Sequence, residues 1–373
     1  MSLQKPSFWL KAGYLSFTIL LWTIFIAPAQ AAVELRVAIK KNVNQLKVGS
    51  STEAVVKNGM GKPIGLIEPM ASLFAYTNNR GISLNQTKAP QIIIEPKQDG
   101  YVWIGDRWYR GKVKLIRQAN GIIAVNQVNL EDYLYSVVGA EAIASWPQEA
   151  LKAQAVAART YALHKKATSN SKLYDLDTTT NTQVYKGLDS EYTTTHQAVE
   201  GTKGQIMTYH NKVILAVFHS SSGGHTENVE DIWNSSLPYL RGVVDYDQTS
   251  PVYQWTKTFS QAELTERLGK KIGEIKALIP QKTTPQGRVI SMTVVGTNGT
   301  TTITGKEIRK ALDLKSSLFT IANFAGVFRV QGRGFGHGVG LSQWGAYFLA
   351  KEGVNYQTIL NHYYQNALIS RIN

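Results

Sequence analysis

Glu141 is the residue in this chain best suited to moving a proton. It lies in Gly139-Ala140-Glu141-Ala142-Ile143-Ala144, a small and apolar connection expected between two helices. Burial among apolar groups disfavours a carboxylate and raises its pKa. A carboxyl that keeps its proton near neutral pH can donate it to a glycosidic oxygen. A solvated loop glutamate, or one paired with a lysine, is the alternative that composition leaves open. Glu131 and Asp132 are the competing carboxylates. They fall in the first turn of the preceding helix, where the helix dipole favours negative charge and accounts for them. Arg159 sits in an apolar helical run from Ala155 to Ala162 and needs partners there, because an unpaired buried charge is costly. It either orients a carboxylate or a substrate carboxyl or acetamido group, or it closes a structural ion pair.

Two further segments stand out. Phe218-His219-Ser220-Ser221-Ser222-Gly223-Gly224-His225-Thr226 follows an apolar run. Ser221, Gly223 and Gly224 are candidates for substrate contact, since glycine lets backbone approach a ligand. The two histidines lack a third ligand at a convincing spacing, and the serines do not form a Gly-x-Ser-x-Gly elbow, so neither a metal site nor a serine hydrolase is supported. In Gly332-Arg333-Gly334-Phe335-Gly336-His337-Gly338-Val339-Gly340, every second residue is glycine. One face then lacks side chains, so a sugar or another backbone can lie against it. Gly336, His337, Gly338 and Gln343 are candidate cleft residues; a packed structural turn is the alternative. The run is neither a phosphate loop nor a dinucleotide fingerprint.

The elements that would hold these residues are mixed. Residues 34–128 read as short strands and hairpins, with period-two alternation in Leu35–Ile39 and β-branched runs at Gln91–Glu95 and Ile122–Val128. From Asn129, a helix cap, the spacing of Leu130, Tyr133, Leu134, Val137 and Val138 predicts a helix that Gly139 ends. Ser145 with Gln148 predicts the cap of an alanine-rich helix over 149–165. Further expectations are a strand over 213–218 and a helix after Ser260. Asn298-Gly299 predicts a hairpin, a short helix follows over 305–312, a strand over 327–331 and a helix over 342–351. The fold class is α+β, with mixed and antiparallel strands and packed helices.

Composition narrows the setting. Lys5 and Lys11, the apolar run Tyr14–Ile26 and Ala29-Gln30-Ala31 form a secretory signal over residues 1–31. The apolar run is shorter than the roughly 20 residues that span a bilayer. The expected division is therefore 1–31 signal, 32–128 β-rich region and 129–373 core, with membrane contact only through an uncleaved signal. There is no cysteine, which removes thiolate metal sites, a cysteine nucleophile and a lipidated cysteine. The formal charge of +14 favours polyanions. Export points away from nucleic acid and toward acidic cell-wall polymers; the positives are dispersed, and a generally solvated basic surface is the alternative.

Taken together, the motifs resemble the family of stage II sporulation protein D and the amidase enhancer LytB. The likeness rests on 128–134, Glu141, Ser145-Trp146-Pro147 through Arg159-Thr160-Tyr161, and 181–187. Ser220–Thr226, Trp233, 238–240 and 334–343 extend it, in the family's order. The resemblance implies an exported protein of the periplasm or cell wall that acts on peptidoglycan glycan strands. The implied activity is a lytic transglycosylase cleaving between N-acetylmuramic acid and N-acetylglucosamine in peptide-stripped strands. The other implied role is an amidase enhancer, with a cell-wall amidase as partner. Glu141 aligns with the family's catalytic glutamate, Arg159 with a required arginine, and Tyr239 is chosen for a functional tyrosine. Some members bind zinc through cysteines; their absence here means no metal and no cofactor is expected. The methionine and proline usual beside the glutamate are replaced.

Overall fold

The computed structural model describes residues 33–372, apart from 79–80, 180–181, 234 and 269–271. The signal over 1–31 lies outside the described residues. Glu34–Ile372 form one compact unit. Its helices are α1 Leu130–Glu141, α2 Gln148–Thr168, α3 Thr193–Glu200, α4 Val229–Ile232, α5 Gln261–Leu268, α6 Gly305–Ala311, α7 Gln343–Lys351 and α8 Tyr356–Tyr363. With the many antiparallel sheets they make an α+β fold whose N-terminal part is rich in strands.

Alternation builds the N-terminal sheets. A seven-stranded sheet runs in the order 176–177, 34–43, 121–129, 112–118, 91–96, 54–58, 63–67. All its pairings are antiparallel except the first, where Val37 lies beside Leu176 in parallel. Leu35, Val37, Val113, Leu115, Ile92 and Ile94 are fully buried and form its inner face. A six-stranded sheet, in the order 107–109, 102–104, 45–50, 72–78, 81–84, 87–89, completes this region.

The strand 121–129 feeds directly into α1. The Asn129 side chain accepts from the Glu131 N–H at 2.8 Å, as a cap should. Gly139 does not end the helix, which continues to Glu141. A Cβ on Gly139 would collide with the Ser190 carbonyl and the Tyr192 ring, so glycine is there to let that backbone lie close. Glu141 is thus the last helical residue and not part of a loop. The cap of α2 is also displaced: Pro147 occupies it, with no side-chain bond, and Ser145 lies exposed in the preceding turn. The Pro147 carbonyl accepts from Ala150 and Leu151, so the helix starts two residues later than the serine suggests.

α2 is the central element. Its alanines, Leu151, Val156 and Tyr161 are buried, and α1, α3, α7 and α8 all pack against it. Small side chains allow that many neighbours to approach one helix. The expected strand over 213–218 is two short ones, Lys212–Val213 and Phe218–His219, separated by buried irregular backbone.

Residues 254–333 enclose a core of their own, containing Trp255, Phe259, Leu264, Met292, Ile308, Phe328 and Val330. Two three-stranded antiparallel sheets surround it, 254–260/327–333/319–324 and 275–283/289–296/299–304. Ser260 and Glu263 cap α5 reciprocally, Thr304 and Glu307 cap α6, and Asn298-Gly299 turns the hairpin between 289–296 and 299–304.

Candidate active site

α1 delivers Glu141 to a position where its carboxylate is largely shielded from water. Its Oε1 accepts the Val184 N–H at 2.6 Å, and the Gln343 side chain also hydrogen-bonds it. Burial is the largest influence on this group and pushes its pKa above the usual glutamate value. The Val184 N–H, Gln343 and the charge of Lys186 oppose that rise without cancelling it. No acidic group is among the influences on its ionisation.

The segment 183–186 crosses α1 and locks it. Gln183 accepts from the Tyr133 hydroxyl at 3.1 Å and donates to the Ala158 carbonyl at 3.2 Å. The Tyr185 hydroxyl donates to Asn126 at 2.9 Å, and the Lys186 N–H donates to the Ser136 hydroxyl at 3.2 Å. Gln183 and Tyr185 are buried while Lys186 is exposed, the alternation of an extended segment. Tyr133 and Tyr161 lie close enough for the Glu141 charge to add to the burial that pushes their phenols up.

Gln343 opens α7, whose cap Ser342 accepts from the Gly345 N–H at 3.3 Å. The strand Leu341–Ser342 pairs in parallel with Phe218–His219, and the Trp344 N–H donates to the Ser220 carbonyl at 3.0 Å. That pairing brings the end of the glycine run to Glu141. The Gln343 side-chain Nε2 also donates to Gln154 Oε1 at 3.3 Å, while Gln154 Nε2 is buried with no protein partner. An aromatic wall adjoins these residues. Trp146, five positions after Glu141, meets Trp344 at 4.9 Å and Tyr347 at 5.2 Å between ring centroids, and the last two meet at 5.3 Å. Trp344 and Tyr347 are half-buried, and Trp344 follows Gln343 directly in the chain.

The structure brings Glu141 and Gln343 together and places the other candidates elsewhere. Arg159 is fully buried, and its Nε and Nη2 reach the two oxygens of Glu131 at 3.0 and 2.6 Å. The remaining donors go to the carbonyls of Val199 and Gln205 and the Thr202 hydroxyl, so all five N–H groups have acceptors within the protein. Its partner stands ten residues before Glu141 on α1, about 15 Å away at the usual helical rise. Glu131 therefore has a role beyond favouring the helix dipole: it is the counter-ion of Arg159.

Tyr239 packs against Tyr209 and accepts the Leu215 N–H at 3.2 Å through its hydroxyl. Ser221, Gly223 and Gly224 wrap Asp247: both glycine N–H groups donate to it at 2.9 Å, and the Ser221 hydroxyl also donates. Gly336 and Gly338 do not present a bare face to a ligand. Both have positive φ, and side chains there would strike His219 and the Arg288 guanidinium, so protein fills the space beside them. His337 Nε2 donates to the Phe218 carbonyl at 3.0 Å and Nδ1 accepts the Val339 N–H at 3.1 Å. Burial, with the Arg288 charge, pushes its pKa down to about 3 and holds it neutral. Among the described residues no group of three or more His, Cys, Asp or Glu is arranged to hold a metal ion.

A half-buried carboxyl whose pKa is raised by burial, with an amide beside it, is a candidate general-acid site on an α+β scaffold. Comparison with known proteins gives that scaffold its family. The family model described as "Stage II sporulation protein" matches residues 118–209, and one described as "Domain of unknown function (DUF8618)" matches 240–340. Stage II sporulation protein D of Bacillus subtilis is 39% identical over 275 residues, covering 69% of this chain and 78% of that protein. An uncharacterized protein of Brachyspira hyodysenteriae is 35% identical over 300 residues, covering 79% and 80%. The Amidase enhancer of Bacillus subtilis is 30% identical over 291 residues, covering 64% of this chain and 40% of that protein. The chain belongs to the stage II sporulation protein D family.

Proposed function

We propose that this chain is an exported peptidoglycan lytic transglycosylase that cleaves the bond between N-acetylmuramic acid and N-acetylglucosamine in peptide-stripped strands. One observation carries the reading: Glu141 is shielded, holds its proton above the usual glutamate range, and has no second carboxylate among the groups that act on it. Hydrolysing glycosidases pair two carboxyls, about 5–5.5 Å apart when retaining and 6.5–9.5 Å apart when inverting. A lone acid suits an intramolecular route that needs no activated water. As the muramyl C1–O4 bond breaks, Glu141 gives its proton to the departing O4. Its carboxylate then takes the proton of the muramyl 6-hydroxyl while O6 bonds to C1. The products are a 1,6-anhydromuramyl end and a free 4-hydroxyl, with Glu141 protonated again.

Gln343 and the Val184 N–H hold the carboxylate through the step in which it is charged, and the aromatic wall offers apolar surface to sugar rings. Arg159 enters as the anchor of α1, not as a substrate ligand. The exported setting rests on the signal read in residues 1–31. The test is digestion of purified, peptide-stripped strands by the parent and by Glu141→Gln, with mass analysis of the ends. Anhydromuramyl ends from the parent and not from the variant support the reading. The relative named Amidase enhancer favours a second one: a glycan-binding protein without cleavage activity that stimulates a cell-wall amidase. Stimulation of an added amidase, equal for parent and Glu141→Gln, with no cleavage by either, would establish that role instead.

A further inference from the structure

The sheet 254–260/327–333/319–324 turns two different faces to its surroundings. Trp255, Gly332 and Phe319 stand side by side in register and are buried, with Trp255 and Phe319 in the local core. The indole fills the space a side chain on Gly332 would take, and its Nε1 donates to the Gly334 carbonyl at 2.9 Å. On the opposite face Gln254 pairs with Arg333, and Gln331 stands between Thr256 and Thr320. All five are exposed.

That polar face is concave. With the 286–287 turn and Leu318 as its wall, it lines a cleft of about 430 Å³. The volume falls within the roughly 300–1,000 Å³ of small-molecule sites. The cleft shares no residue with the Glu141 site. Arg333 supplies its only charge and has no ion-pair partner among the described residues; no acidic residue lines it. One row further along the same face, Arg329 is exposed beside Thr258. Amides, hydroxyls and unpaired guanidinium groups suit a ligand dense in hydroxyls and acetamido groups that carries carboxylates. Trp255 and Phe319 are turned into the core, while Phe324 is exposed at the far end of this same face with Arg329 over its ring at 5.9 Å.

We propose that this face is a second, non-catalytic binding site for an anionic saccharide, gripping a muramyl-containing glycan strand through Arg333, Gln331, Gln254 and Thr256. The choice of wall glycan as the polymer rests on the functional reading above.

The experiment uses the full chain carrying Glu141→Gln, so that ligand is not consumed. Affinity is measured for soluble glycan oligomers bearing free muramyl carboxylates, for chitin oligomers of equal length and for polyphosphate. Adding Arg333→Ala with Gln331→Ala should weaken binding of the carboxylated oligomer about tenfold or more, and the chitin oligomer less. Glycan should also slow amide exchange over 254–258 and 331–333. Both substitutions are on exposed side chains, and an unchanged melting temperature verifies the fold. Unchanged affinity with no added protection would overturn the proposal, as would polyphosphate competing as well as glycan. If Glu141→Gln alone leaves cleavage intact while the cleft variants lose binding, the functional reading falls and this site stands. The reverse pattern overturns this site alone.

Discussion

The Arg159–Glu131 pair offers a sharp division between structure and catalysis. The arginine side chain is wholly buried and its partner only 15% exposed. Glu131→Gln replaces two charged acceptors with one neutral oxygen and leaves the guanidinium charge uncompensated. Removing one member of a buried pair costs about 3–5 kcal/mol. The residual exposure of Glu131 and the three other acceptors of Arg159 draw the value toward the lower end. At roughly 2 °C per kcal/mol for a unit of this size, the melting temperature falls by about 6–8 °C. Arg159→Met also strands the buried carbonyl of Val199 and the half-buried one of Gln205 and should cost as much. The double variant should lose less than the two singles summed, by about 0.5–3 kcal/mol of coupling. Calorimetry and denaturant unfolding measure the stabilities, and strand cleavage well below the melting temperature measures the chemistry. Arg159→Lys should melt early yet keep kcat within about threefold, because no guanidinium donor is left for a substrate. Parental stability with a hundredfold or greater loss of kcat would refute this reasoning and put Arg159 in contact with the sugar.

Three further outcomes follow from the site. Gly139→Ala must push α1 away from Ser190; it should cost about 1–3 kcal/mol and lower kcat by displacing Glu141, as unfolding and cleavage assays would show. Gln343→Leu removes a bond that favours the charged carboxylate, so the Glu141 pKa rises further. In the proposed mechanism cleavage needs the protonated acid, so activity should persist below that pKa and be lost above it; the alkaline limb of kcat/KM should move to higher pH. Lys186→Met should move it the same way by less, and the difference from the parent should shrink in high salt.

Much of the local structure was legible in the sequence. Asn129, the Ser260–Glu263 pair and Asn298-Gly299 act through bonds to residues within a few positions, so their types suffice. Gly139 misleads because the reason for it is the Ser190 backbone, 51 residues away. The glycine run is ambiguous for the same reason: only the fold shows that His219 and Arg288 fill the space beside it. Composition pointed to a buried Glu141 through its apolar neighbours. It did not reveal Val184, Gln154 or Lys186, which reach the site by chain crossings, nor that the counter-ion of Arg159 is Glu131. The need for such a counter-ion was readable; its identity required α1 and α2 side by side.

The central claim is that the Glu141 side chain holds a proton and passes it to the departing sugar. Mass analysis of peptide-stripped strands after exposure to the parent and to Glu141→Gln tests it most directly. The account predicts abundant 1,6-anhydromuramyl ends from the parent and at least a hundredfold fewer from the variant, whose fold and glycan affinity persist. Equal yields of anhydro ends from both proteins would contradict it.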